Sequence, residues 1–262
     1  MSYKLLQNVT KDDLRLDPYP HVVIKNALPS AECDKLVDEF PADHTIAKSA
    51  NLGSNQRFNY SSFDILNDSQ INEHWKKYVQ ANTGKDFFED FVDIFGDALK
   101  VEYPAFYKKY ILNNAFKTGI WGANTQHDGG INVAADINSP VLKTSSVQRG
   151  PHLDQPNKLI FGLLYLRPPE DTTPGGDLEI YKLKNKKSFK FERNGRHIDA
   201  KYIELVDTVK YEKNTLVLGL NTLRSIHGLT PREPTKVSRR FSNFFIELKK
   251  PLFDPKETSW DD

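Results

Sequence analysis

The chain is short of several things that would narrow its class at once. It has a single cysteine, Cys33, in 262 residues. An intramolecular disulfide is therefore excluded, which fits a reducing compartment. Cys33 falls in a charged, helical-looking pattern and reads as a small packed side chain rather than a reactive thiol. There is no 18-residue apolar run, and the opening Met-Ser-Tyr-Lys-Leu-Leu-Gln-Asn has no apolar signal core. The expectation is a soluble, cytoplasmic protein. Nor is there an excess of one charge: 36 basic residues face 35 acidic ones, for a net +1. Without a large single-sign field, neither nucleic acid nor a membrane surface is implied as a partner. No internal repeat, low-complexity linker or sharp composition shift marks a boundary. One domain spanning 1–262 is expected, helix-rich over about 1–100 and β-rich over about 101–250.

What is present is aromatic bulk. Thirty residues are Phe, Tyr or Trp (16, 11 and 3), enough to build a core from a chain of only 38% hydrophobic composition. Residues 20–27 read as an opening strand. Ser30 reads as an N-cap before a helix over Ala31–Phe40 that Pro41 stops. His21 and His44 flank this unit and read as locally bonded. Residues 50–60 are polar and Asn-rich, a surface loop. From about Ser69 to Lys100, Trp75, Tyr78, Val79, Phe87, Phe88, Phe91, Val92 and Phe95 give a broad apolar helical face, with a break at Thr83-Gly84. These helices are expected to buttress one face of a sheet.

The second half reads as strands. Residues 132–137 form one, ended by Asn138-Ser139-Pro140. Residues 158–167 form another, nearly continuously apolar and so covered on both faces. Pro174-Gly175-Gly176 is a turn leading into 177–183. The segment 182–201 is a charged hairpin or loop with an Asn194-Gly195 turn pair. Its run Lys182, Lys184, Lys186, Lys187, Lys190 reads as a solvated edge, and His197 within it as unremarkable in role. Further strands cover 214–220 and 239–248, and Trp260 in the tail is expected to dock back.

Two anomalies carry chemistry. His152 and Asp154 stand two apart, so on extended backbone both side chains point to one face. His127-Asp128, being adjacent, cannot share a metal in that way and reads as a turn. His227 lies near the end of another apolar run. Two histidines and one carboxylate that leave positions open are the donor set of non-haem Fe(II) oxygenases. The second anomaly is a basic residue on a buried strand. Period two along 239–248 places Arg240 and Ser242 with Phe244, Ile246 and Leu248, and a buried cation needs an anion.

Pro151-His152-Leu153-Asp154, Gly175-Gly176-Asp177-Leu178, His227-Gly228-Leu229-Thr230-Pro231 and Arg239-Arg240-Phe241-Ser242 together resemble the Fe(II)/2-oxoglutarate-dependent dioxygenases, closest to the prolyl-4-hydroxylase-like branch. The resemblance covers roughly residues 145–248, with 1–140 only loosely similar. It implies a mainly β fold with α, a double-stranded β-helix (a cupin-like jelly roll) buttressed by the N-terminal helices. It implies that His152, Asp154 and His227 hold Fe(II), and that 2-oxoglutarate and O2 are cosubstrates. The far carboxylate of 2-oxoglutarate would pair with an arginine, whose planar fork suits it. Strand parity and the Arg-x-Ser spacing favour Arg240 with Ser242, whereas the distance from His227 slightly favours Arg239. Many relatives place a tyrosine about ten residues before the His-x-Asp motif. Here Val141-Leu142-Lys143 stand there, and the resemblance leaves the remaining cosubstrate contacts unassigned. Asp154 in the acidic position favours hydroxylation over halogenation. The substrate, a small molecule or a peptidyl residue, would be contacted from loops such as 51–57 and 121–127 and from Arg149. A Zn(II) hydrolase on the same ligands and a non-catalytic jelly-roll binding module are the alternatives.

Overall fold

A computed structural model of the chain describes residues 2–184 and 197–254. The expected Asn194-Gly195 turn, the lysines at 186, 187 and 190, and Trp260 lie outside the described residues. Among the described residues there are ten strands: β1 (His21–Lys25), β2 (Arg57–Tyr60), β3 (Thr118–Ile120), β4 (Gly129–Asn138), β5 (Lys158–Tyr165), β6 (Leu178–Leu183), β7 (Ile203–Val209), β8 (Thr215–Leu220), β9 (His227–Leu229) and β10 (Arg239–Leu248). They form a seven-stranded sheet in the order β1-β8-β5-β10-β4-β2, with β3 alongside β4, and a three-stranded sheet ordered β7-β6-β9. All pairings are antiparallel except β3 with β4.

The helical break at Thr83-Gly84 is where expected. It separates α4 (Glu73–Asn82) from α5 (Lys85–Glu102), and these follow α1 (Ser30–Asp38), α2 (Asp43–Ala47) and α3 (Ser62–Asn67). Local chemistry sets the helix starts. Asn72 accepts the His74 N–H ahead of α4, and Ser61 and Asp64 cap α3 reciprocally. Ser30 is the first helical residue rather than the cap, and Pro29 occupies the capping position. A second correction concerns residues 50–60. Their last four residues form β2 at the edge of the large sheet, hydrogen-bonded to β4. Residues 50–56 are loop as expected, and only Arg57–Tyr60, with the polar Arg57 and Asn59 on the inner face, depart from it.

The large sheet is buried on both faces. On its outer face Ile131, Val133, Ala135 and Ile137 of β4, Leu216, Leu218 and Leu220 of β8, and Phe244, Ile246 and Leu248 of β10 join one core with Trp75, Tyr78, Phe91, Phe95 and Leu99 of the helices. Gly162 lets this face close, because a Cβ there would lie 1.8 Å from the Phe244 ring. On the inner face Phe161, Tyr165, Val217 and Phe241 pack against Leu178 and Ile180 of β6 and Val209 of β7, so the two sheets face each other. Among the described residues no helix is long and apolar enough to cross a membrane.

Candidate metal centre

His152 and His227, 75 positions apart in the chain, are brought together by their own backbones. The His152 N–H donates to the His227 carbonyl at 2.9 Å, and the His227 N–H returns to the His152 carbonyl at 3.1 Å. This reciprocal pair sits at the start of β9, which β6 holds in register with Ile180 opposite His227. The ring centroids are 4.4 Å apart. Asp154, two residues on, turns its carboxylate to the same point, with Oδ1 at 3.7 Å from His152 Nε2. One donor atom from each of His152, Asp154 and His227 lies within 4.8 Å of the others, so a single cation can reach all three.

The protonation of the rings follows from their partners. His152 Nδ1 lies 2.8 Å from the Gly150 carbonyl, and His227 Nδ1 lies 2.9 Å from the Ser225 carbonyl. A carbonyl only accepts, so each Nδ1 carries the proton and each Nε2 keeps a lone pair for a metal. Burial, reinforced by the neighbouring His227, lowers the His152 pKa to about 3. Burial also pushes His227 down. Asp154 runs the other way. Burial opposes its charge, but Lys158 and the two imidazoles outweigh that and hold the carboxyl well below its usual range. Two neutral imidazoles and one carboxylate are the protonation states that a divalent cation needs. Phe161 stacks on the His227 ring at 4.4 Å and 15°, which fixes its orientation. Gly219 opposite makes room for that phenyl ring, since a Cβ there would meet it at 2.4 Å.

The three residues open into a narrow pocket between the sheets, whose wall also includes Arg57, Asn138, Arg149, Phe241, Asn243 and Arg239. Arg239 therefore faces the site, and Arg240 does not. Arg239 is only 2% exposed. Its Nε donates to the Gly176 carbonyl at 2.8 Å. Its guanidinium lies over Tyr165, Tyr211 and Phe241 at 5.0, 4.8 and 4.6 Å from the ring centroids. No ion pair joins it to a carboxylate among the described residues, and its Nη2 is buried without a hydrogen-bond partner. The Gly-Gly turn shapes this seat: Gly175 has φ +85°, and a Cβ there would run into the Pro231 carbonyl oxygen at 1.8 Å.

Arg240 instead points toward the helices. It lies over Phe40 at 5.2 Å, with Nη2 3.8 Å from Asp43. Ser242, in register with Ala135 and Leu164, is buried on that same helix-covered face. Arg240 and Ser242 do share a face with Phe244, Ile246 and Leu248, as period two predicts. That face is not the site's face, because both faces of β10 are covered and the pocket lies on the odd-numbered one.

Sequence reasoning missed Asn138, which it read only as a strand terminator. Asn138 pairs with Arg239 across the ladder and is 2% exposed, with an unpartnered Oδ1. His197, read from the sequence as having no special role, forms a backbone bridge with His152, and the two rings are 6.0 Å apart. Arg149 does line the cavity, and Nη1 lies 3.4 Å from Asp154. His127 and Asp128 stay out of the metal group. Asp128 accepts the Lys117 N–H in the turn before β4.

No family model matches the chain, and no curated protein matches its sequence. Its shape does have solved counterparts. A Pseudomonas putida prolyl-4-hydroxylase superposes with TM-score 0.50 at 14% identity, over 94% of this chain and 100% of that one. A Phytophthora capsici prolyl 4-hydroxylase gives TM-score 0.47 at 12% identity, over 95% of this chain but 63% of the other. A collagen prolyl hydroxylase of Paramecium Bursaria Chlorella virus-1, in complex with 2OG, gives 0.39 at 16% identity, over 88% and 96%. The chain thus shares its fold with that Pseudomonas putida prolyl-4-hydroxylase.

Proposed function

We propose that the chain is an Fe(II)- and 2-oxoglutarate-dependent dioxygenase that hydroxylates a small molecule or a peptidyl residue. In this reading the two facing sheets form a double-stranded β-helix, and residues 1–262 act as one oxygenase domain. The observation that carries it is the pairing of two features in one cavity. A three-residue cation site with open positions faces a buried guanidinium that has no counter-ion among the described residues. A buried arginine left without an anion is costly, and a dicarboxylate ligand that meets both features removes that cost. A Zn(II) hydrolase would use the same three ligands but gives Arg239 nothing to do.

The residues present fit the group. His152 Nε2, His227 Nε2 and Asp154 would hold Fe(II), and the carbonyls of Gly150 and Ser225 fix the two rings through their Nδ1 protons. When bound, the iron supplies the redox chemistry by which 2-oxoglutarate and O2 become succinate and CO2 while one oxygen atom enters a substrate C–H bond. Arg239 would take the far carboxylate of 2-oxoglutarate through its unused Nη2, with Asn138 beside it in place of the tyrosine that many relatives carry. Lys158 and Arg149 would keep Asp154 ionised, at 3.7 and 3.4 Å. Phe161, Phe241 and Leu178 would exclude water from the space between metal and arginine.

The reading is tested by adding Fe(II), 2-oxoglutarate and oxygen and measuring succinate. Release of succinate, even without a known substrate, is the expected outcome. It should vanish in His152→Ala and Asp154→Ala. A wild-type protein that consumes no 2-oxoglutarate under any metal loading would overturn it.

A further inference from the structure

One guanidinium in the cavity is not used by the scheme above. Arg57 stands on β2, in register with Asn138 of β4, which is in turn in register with Arg239 of β10. Directly paired residues share a face, so the three side chains form one rung across the inner face of the large sheet. Arg57 is fixed in place. Its Nε and Nη2 donate to Asp136 Oδ2 at 2.9 and 2.7 Å, and its guanidinium lies 5.4 Å from the Phe241 ring centroid.

Asp136 is fully buried and also accepts from Asn59. Burial pushes its pKa up, and Arg57 opposes that rise. Taking a carboxylate wholly out of water is costly even after relaxation. A surface arginine needs no such anchor, whereas an arginine that must be aimed into a pocket does.

The two arginines that flank Phe241 differ in depth. Arg239 is 2% exposed, whereas Arg57, on the edge strand, is a solvent-exposed residue whose side chain is 32% accessible. The lining carries three arginines against a single carboxylate, Asp154. With the far carboxylate of 2-oxoglutarate on Arg239 and its other end at the metal, the guanidinium left facing incoming ligand is Arg57.

We infer that Arg57, locked by Asp136, recognises a carboxylate on the primary substrate, so that the substrate class is a small carboxylic acid. This inference rests on the oxygenase reading. Arg57 is a specificity residue in this account and takes no part in holding 2-oxoglutarate. The plainer alternative is that the Arg57–Asp136 pair only ties the edge strand β2 to β4.

The test uses protein loaded with Zn(II), a redox-inert probe metal, and 2-oxoglutarate. Ligand-observed NMR then screens a panel of small carboxylic acids, each beside its primary amide. Blocked tripeptides carrying Asp or Glu form a second arm, which separates a free acid from an acidic side chain. The expected result is that free acids bind at least about tenfold more tightly than their amides and than the tripeptides, as a charge-assisted contact requires. Arg57→Gln should erase that preference while the 2-oxoglutarate Kd stays within about threefold. Because Arg57→Gln leaves Asp136 buried and unpaired, the double variant Arg57→Gln/Asp136→Asn is measured alongside, with its Tm. It replaces the Arg57–Asp136 ion pair with two neutral side chains and should behave the same way.

Equal binding of acids and amides, no acid binding in the panel, a preference for the tripeptides, or acid affinity that survives in the double variant would each overturn the inference. So would a tenfold loss of 2-oxoglutarate affinity in either variant, which would make Arg57 a cosubstrate ligand. Failure of the wild type to bind 2-oxoglutarate at all would instead remove the oxygenase reading, and this inference with it.

Discussion

The two faces of the large sheet are built from the same strands and do different jobs. Toward the helices, β4 presents Ile131, Val133, Ala135 and Ile137, and β10 presents Phe244, Ile246 and Leu248, all joined in one apolar core. Toward the second sheet, the same two strands present Asp136 and Asn138, then Arg239, Phe241 and Asn243. The outer face gains free energy by burying carbon. The inner face gives some of that up, since it holds a buried carboxylate, a buried guanidinium and an amide oxygen without a partner. Stability and chemistry are thus separated by the thickness of one sheet, and residue parity decides which side a substitution affects.

The largest effect on stability belongs to the outer face. Phe244→Ala removes a ring that covers Gly162 and joins the helix-facing core. It should cost about 3–5 kcal/mol in urea unfolding, while any protein that remains folded keeps its affinity for 2-oxoglutarate. A large loss of affinity at unchanged stability would break the division of labour between the faces.

Adjacent arginines sharpen the same comparison. Arg239→Met should weaken 2-oxoglutarate binding by about 100-fold. The ligand-free protein should be no less stable, because an uncompensated buried charge has been replaced by an apolar chain of similar length. Arg240→Gln, one residue away, should leave the affinity unchanged and shift stability by about 1 kcal/mol, since it loses a partly exposed contact to Asp43 and one over the Phe40 ring. The reverse pattern in binding would return the cosubstrate role to Arg240.

A smaller effect lies at the far end of the sheet. Burial pushes the pKa of His21 down, against the opposing bond to the Tyr19 carbonyl. The unfolded chain takes up a proton near pH 6.5 that the folded chain resists. The neutral His21 therefore contributes fully above about pH 6.5, and stability falls as the pH drops through and below that value. Unfolding curves at pH 7.5 and 5.5 should show the decline, and His21→Gln should reduce it without touching the metal centre.

Much of this was legible in the sequence because the signals were local. The His-x-Asp spacing, the Gly-Gly turn, the helical break at Thr83-Gly84 and the bounds of β10 each depend on residues that are near neighbours in the chain. What was not legible depends on which elements pack together. Period two on β10 correctly divided Arg239 from Arg240, but only a sheet covered on both sides reveals that the odd-numbered face holds the cavity. Arg57 sat in a segment that looked like loop, because an edge strand whose inner face is polar lacks the apolar alternation that marks a strand. Asn138 looked like a terminator, and its meaning appears only once β10 sets Arg239 opposite it. The approach of His197 to His152 spans a long stretch of chain, and no spacing rule foretells it.

The most direct check of the central claim, that one cavity holds both the cation site and the anion-binding arginine, is an anaerobic absorption titration with Fe(II) and 2-oxoglutarate. A visible charge-transfer band should grow and saturate with wild-type protein. It should need about 100-fold more 2-oxoglutarate in Arg239→Met and be absent in His152→Ala. A wild-type protein that develops no band, or a band that saturates identically in Arg239→Met, would contradict the account.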